Sequence, residues 1–145
     1  MMSDESEFKE SIEEMSDEEI RQQQERTREM EMPEIRALDY LYGREEVTYT
    51  YPELTAMCPM TATTEIYTVR LIYRPGAKVP ELKSLKYYFL AFRDVPVLHE
   101  HLAGRIFDDF NAAVEPAALR VELEAAVRGG IRTKVVKTGD DEGNA

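Results

Sequence analysis

The chain has 145 residues, one cysteine and a formal net charge of -11, which fits a single domain. A lone cysteine excludes an internal disulfide and favours a reducing cytoplasm, and with only two histidines the chain lacks a Cys/His zinc pattern, so no metal is expected. No apolar run approaches twenty residues, so no membrane-spanning helix is expected, and the acidic start "MMSDESEFKESIEEMSDEE" lacks the apolar stretch of a secretory signal.

The charge is unevenly spread. Residues 1–34 carry 13 acidic and 4 basic side chains, and residues 35–145 carry 16 and 14. The body is near neutral and lacks the basic face of a nucleic-acid binder, so no direct nucleic-acid binding is expected. The expected division is an acidic extension over 1–34, partly disordered or helical, a folded domain over 35–138 and a flexible tail over 139–145. Residues 1–15 read as disordered. "SDEEIRQQQERTREMEM" reads as a helix with Ser16 as N-cap, Glu19 completing a capping box and Pro33 ending it. With only Ile20, Met30 and Met32, that helix has little to bury.

From residue 47 the patterns sharpen. "VTYTY" (47–51) alternates as a strand. "EIYTVRLIY" (65–73) puts Tyr67, Val69, Leu71 and Tyr73 on one face. "RPGAKVP" breaks the chain. "ELKSLKYYFLAFRD" (81–94) reads as a helix with Leu82, Leu85, Phe89 and Phe92 on one stripe, and a second helix after Pro96 carries Leu98, Leu102, Ile106 and Phe110, closed by Pro116. "LRVELEAAV" (119–127) alternates again, with Leu119, Val121, Leu123 and Ala125 on one side. Gly129-Gly130 turns the chain into a last strand, "IRTKVVK". This order predicts an α+β layer, an antiparallel ββααββ sheet with two helices on one face. So thin a core, with open sheet edges, predicts a homo-oligomer joined through edge strands.

Three groups of residues can carry chemistry. Cys58 in "ELTAMCPMTATTE" is open between a packed small hydrophobe and a nucleophile. Seven positions on, Glu65 opposes thiolate formation as an anion and fits better as a proton donor or shuttle to the group attacked. In "VLHEHL", Glu100 is either a first-turn carboxylate favoured by the helix dipole or an acceptor for two N–H donors of a heterocycle. His99 is either a cap or a site residue, and His101 is structural. In "KVPELKSLKYY", Lys78, Lys83 and Lys86 gather positive charge beside a helix start, with Lys83 and Lys86 on one face, suited to phosphate or to solvent. Arg128, beside Gly129, is a further loop cation. Neither GxGxxG nor GxxxxGK[ST] is present.

Together these residues resemble the QueF-type nitrile reductases of the unimodular type, which reduce 7-cyano-7-deazaguanine to 7-aminomethyl-7-deazaguanine with NADPH in queuosine synthesis for tRNA. The resemblance covers about residues 47–138. "ELKSLKYY" (81–88) matches the family signature at every position, "LTAMCPMT" resembles the nucleophile segment, "HE" at 99–100 the substrate-binding pair and "RGGI" at 128–131 a cofactor-side loop. The resemblance implies a tunnelling fold forming an oligomeric barrel, two pentamers face to face with sites at subunit interfaces. It implies Cys58 as nucleophile forming a thioimide, Glu65 as acid, His99 and Glu100 on the substrate, and Glu81, Leu82, Lys83, Ser84, Lys86, Arg128 and Gly129 on NADPH. One departure stands out: "TATTE" occupies the place of a stretch like T-G-x-P-D, so glutamate replaces the usual aspartate and the glycine and proline are lost. The alternatives are a QueF-like amidinotransferase acting on modified tRNA, against which the lysine signature argues, and a deazapurine-binding module that has lost catalysis.

Overall fold

A computed structural model of the chain describes residues 15–140. In chain order the elements are α1 (Asp17–Glu29), β1 (Ala37–Asp39), β2 (Val47–Met57), β3 (Thr64–Arg74), β4 (Lys78–Pro80), α2 (Leu82–Leu90), α3 (His99–Val114), β5 (Ala118–Arg128) and β6 (Ile131–Asp140). The main sheet has the order β2-β3-β5-β6 and is antiparallel throughout. The short strands β1 and β4 form a separate antiparallel pair.

The alternating pattern fixes which face of the sheet is covered. Tyr67, Val69, Leu71 and Tyr73 of β3, with Leu119, Val121 and Leu123 of β5, are buried against Leu85, Tyr88 and Phe89 of α2 and Leu102, Ile106 and Phe110 of α3. Stacked and edge-on aromatic pairs, Tyr51 on Phe89 and Tyr73 on Phe110, join the two layers. The opposite face is polar, and there Arg70 pairs with Glu124 while Arg120 and Lys134 both meet Glu122. No described helix is long and apolar enough to cross a membrane.

Several boundaries differ from the sequence expectation. β2 continues through Pro52 to Met57, because it is an edge strand and its register against β3 shifts between Tyr51 and Leu54; an edge and a bulge are where a strand tolerates proline. The helix expected over 81–94 ends at Leu90, and Leu82, placed on its apolar stripe, is an exposed first-turn residue. α3 ends at Val114, and its cap Glu115, with a φ of 52°, reverses the chain before Pro116. Gly129 and Gly130 turn β5 into β6 with φ of 59° and 81°, a conformation glycine adopts without penalty. Gly139 and Asp140, expected in the tail, pair with Leu119 and Ala118 as the end of β6; residues 141–145 and the expected disorder over 1–14 lie outside the described residues.

The helix of the acidic extension forms over Asp17–Glu29, with Ser16 accepting from the Glu19 N–H as its cap. It docks on the domain through polar contacts. Arg105 of α3 donates to the carbonyls of Thr27, Arg28 and Met30 at the C-terminal end of α1, where the last carbonyls have no further turn of helix to bond and a cation suits the dipole.

Candidate active site

The site begins where β2 ends. Ala56 stands opposite Glu65 across the β2–β3 pair and Met57 opposite Thr64, so Cys58 and Glu65 flank the neck of one hairpin. The connecting loop closes on Cys58 itself: its N–H donates to the Thr63 carbonyl and its carbonyl accepts from the Ala62 N–H, both at 2.9 Å. Within the loop, the hydroxyls of Thr61 and Thr63 lie 2.7 Å apart. Ala62 has a φ of 57°. This is the position where the resemblance implies glycine, and alanine holds a left-handed conformation there at a cost. Cys58 is half-buried, neither sealed in the core nor loose on the surface.

Met57 also ties the hairpin to the start of α3. Its N–H donates to the Val95 carbonyl at 2.9 Å and its carbonyl accepts from the Val97 N–H at 3.1 Å. That pairing carries residues 95–97 alongside the strand leading to Cys58, and His99 and Glu100 follow at once as the first turn of α3. His99 is half-buried and Glu100 exposed. The macrodipole at the N-terminus of α3 favours the Glu100 carboxylate.

Tyr67 marks the centre of the group. Its ring is buried, and its hydroxyl lies 2.7 Å from Nδ1 of His99, with the two rings edge to face. Burial raises the Tyr67 pKa above the ordinary tyrosine value; after burial, the charges of Glu65, Cys58 and Glu100 push it the same way. The phenol touches His99 and lies within electrostatic reach of Glu65, Cys58 and Glu100. A buried O–H requires an acceptor, and Nδ1 is the one it meets. The contact fixes the ring orientation, and with the phenol donating to Nδ1 a ring proton sits on Nε2. Strand alternation placed Tyr67 only in the core. The available signal was that a buried tyrosine must find a partner for its hydroxyl.

The second expected cluster is at the start of α2. Glu81 is its N-cap, and its carboxylate accepts the N–H groups of Ser84 at 3.0 Å and Lys83 at 2.5 Å. The Ser84 hydroxyl donates to the Glu81 carbonyl at 2.8 Å and accepts the Arg36 N–H at 2.9 Å. Glu81 and Ser84, expected on the cofactor, thus have their polar atoms engaged in shaping the helix start. Leu82, Lys83, Lys86 and Tyr87 are exposed, and the Lys83 ammonium sits 6.0 Å from the Tyr87 ring centroid. Among the described residues, no ion pair engages Lys83 or Lys86. Gly129 lies in the β5–β6 turn just after Arg128. Lys78 pairs instead with Glu115 at 3.3 Å.

The sequence model described as QueF-like protein matches residues 66–144. The chain belongs to this family. The matched segment contains the α2 signature and the His99–Glu100 pair, while Cys58 and Glu65 precede it. The NADPH-dependent 7-cyano-7-deazaguanine reductase of Anaeromyxobacter dehalogenans (strain 2CP-C) is 46% identical over 90 residues, which cover 62% of this chain and 74% of that protein. The enzyme of the same name from Prochlorococcus marinus is 39% identical over 90 residues, 62% of this chain and 67% of that protein. Among solved structures, the archaeosine synthase QueF-Like in the apo form is similar with a TM-score of 0.62 at 24% identity, over 67% of this chain and 95% of that one. That likeness shows the family's fold, in agreement with the expected α+β tunnelling architecture.

Proposed function

We propose that this QueF-like chain is an NADPH-dependent reductase that converts the nitrile of 7-cyano-7-deazaguanine into an aminomethyl group through a thioimide on Cys58. What supports the reading is that Cys58 and Glu65 flank one hairpin neck, which Met57 ties to the segment leading into His99 and Glu100, in a chain whose relatives bear that enzyme's name.

The Glu100 carboxylate accepts two N–H groups from the edge of the deazaguanine, and the Nε2–H of His99 donates to the substrate and orients it. Cys58 Sγ bonds to the nitrile carbon as Glu65 takes the thiol proton and delivers it to the nitrile nitrogen, leaving a neutral thioimide. Turning a nitrile into a thioimide replaces a poor hydride acceptor with a better one. Two NADPH supply the two hydrides that the four-electron reduction needs. Glu65 relays protons to the nitrogen, and Cys58 departs when its carbon–sulfur bond breaks after the first reduction. Lys83 and Lys86 are exposed cations on one helix face, outside any ion pair among the described residues, and fit the cofactor phosphates; Leu82, Arg128 and Gly129 are assigned to the cofactor with them, on the resemblance. Glu81 and Ser84 serve it by fixing the helix start.

The assembly belongs to the same proposal. Among the described residues, β2 and β6 each pair along one side only, and open edges of this length favour pairing between copies. Two face-to-face pentamers, with sites at the junctions, satisfy both edges. The setting is the cytoplasm, in the supply of a queuosine precursor for tRNA. The test is to mix pure folded protein with the nitrile and NADPH and follow reduced-nicotinamide absorbance. Two NADPH consumed per nitrile is expected; no consumption overturns the reading.

A further inference from the structure

We infer that α1, in the acidic extension, is a positioning element for His99 and Glu100, acting through the segment Pro96–Leu98. The inference rests on the reductase reading of the site.

The buried residues of α1 are two polar ones, Gln24 and Thr27. A helix docked without an apolar stripe is not there to enlarge the core. Each buried residue instead engages the main chain of one segment. The Thr27 hydroxyl donates to the Pro96 carbonyl at 3.1 Å, and the Leu98 N–H donates to Gln24 Oε1 at 3.1 Å. Val97, between them, bonds on its other side to Met57, next to Cys58. The segment is therefore clamped between α1 and the end of β2. Leu98 is the N-cap of α3 and offers no capping side chain, so the angle at which His99 and Glu100 leave the segment is set from outside, by Gln24.

The clamp is itself anchored. Arg105, which holds the last carbonyls of α1, also donates to Asp109 at 2.7 Å, and Asp109 accepts the Tyr88 hydroxyl of α2 at 2.5 Å. Gln24 is also an unfavourable choice for stability alone. Its Nε2 is buried without a partner, as is Oε1 of the neighbouring Gln23, and an unsatisfied buried polar group is destabilising. An unbranched apolar residue of the same length suits that burial better. What glutamine adds is the bond to Leu98, so stability and positioning can be separated by substitution.

The test uses the full chain as Gln24→Met, Thr27→Val and Gln24→Glu. Gln24→Met, which removes the orphan Nε2 but leaves the Leu98 N–H without its acceptor, is expected to melt close to the parent while its KM for the nitrile rises about three- to tenfold, the range set by one lost hydrogen bond. The KM for NADPH stays unchanged. Thr27→Val moves the nitrile KM in the same direction, and Gln24→Glu, which keeps an acceptor for the Leu98 N–H, recovers most of it. Imidazole NMR gives a second readout: the His99 ring signals shift in Gln24→Met while those of His101 stay put. Unchanged KM and unchanged His99 signals in both Gln24→Met and Thr27→Val overturn the inference. A parent protein that fails to consume NADPH sinks the reductase reading, and the His99 signals then still decide whether α1 positions that ring.

Discussion

The Tyr67 hydroxyl and the Nδ1 of His99 lie 2.7 Å apart, joining the covered face of the sheet to the first turn of α3. This contact fixes the orientation of the His99 ring, which the proposed mechanism uses with Nε2 toward the substrate. Tyr67→Phe keeps the ring in the core and removes only the hydroxyl. It is expected to lower kcat/KM for the nitrile by about three- to tenfold, one hydrogen bond's worth, with a melting temperature close to the parent's. Steady-state kinetics beside a thermal melt checks both halves.

Ala62 carries a left-handed backbone at the turn that closes on Cys58. Ala62→Gly removes the Cβ conflict and is expected to stabilise the protein by about 1 kcal/mol. Denaturant unfolding measures it. A loss of stability in this variant contradicts the account of the loop.

The exposed lysines of α2 give a prediction about salt. Replacing both Lys83 and Lys86 by alanine is expected to raise the KM for NADPH at least tenfold and to flatten its dependence on ionic strength, because paired cations facing phosphates are screened by salt. The rate of adduct formation on Cys58 without NADPH remains that of the parent. A nitrile KM that rises as much as the NADPH KM removes these lysines from the cofactor.

Three buried phenols, Tyr67, Tyr73 and Tyr88, have pKa values raised above the ordinary tyrosine value, burial being the largest cause in each. The folded state holds these protons more tightly than the unfolded state. Their linkage is therefore neutral below about pH 10, where both states are protonated, and stability falls as pH rises past that unfolded value. An ultraviolet titration is expected to show Tyr67, Tyr73 and Tyr88 ionising only as the fold is lost. Ionisation of all tyrosines in one step near pH 10 with the fold intact contradicts the burial.

The core of the sheet was legible because Tyr67, Val69, Leu71 and Tyr73 alternate without interruption, and period-two burial depends on nothing beyond the strand itself. Pro52 hid the second half of β2, since its tolerance depends on the strand's place at the sheet edge. Three-residue strands such as β1 and β4 carry too few positions to show a period. The docking of α1 was invisible because its contacts are single hydrogen bonds across some seventy residues, from Gln24 to Leu98 and Thr27 to Pro96. Cys58, Glu65, His99 and Glu100 could be singled out from the sequence as candidates and take their assigned roles from the resemblance, whereas Tyr67 was seen only as core, because its partner is set by the packing of α3.

The central claim is a covalent bond between Cys58 and the nitrile carbon, and intact-protein mass spectrometry after incubation with 7-cyano-7-deazaguanine, without NADPH, reads it directly. The account predicts a mass increase of one substrate molecule per chain, absent in Cys58→Ala, slowed in Glu65→Gln and less affected in Glu65→Asp. Folded protein that binds the nitrile yet shows no added mass on Cys58 contradicts it.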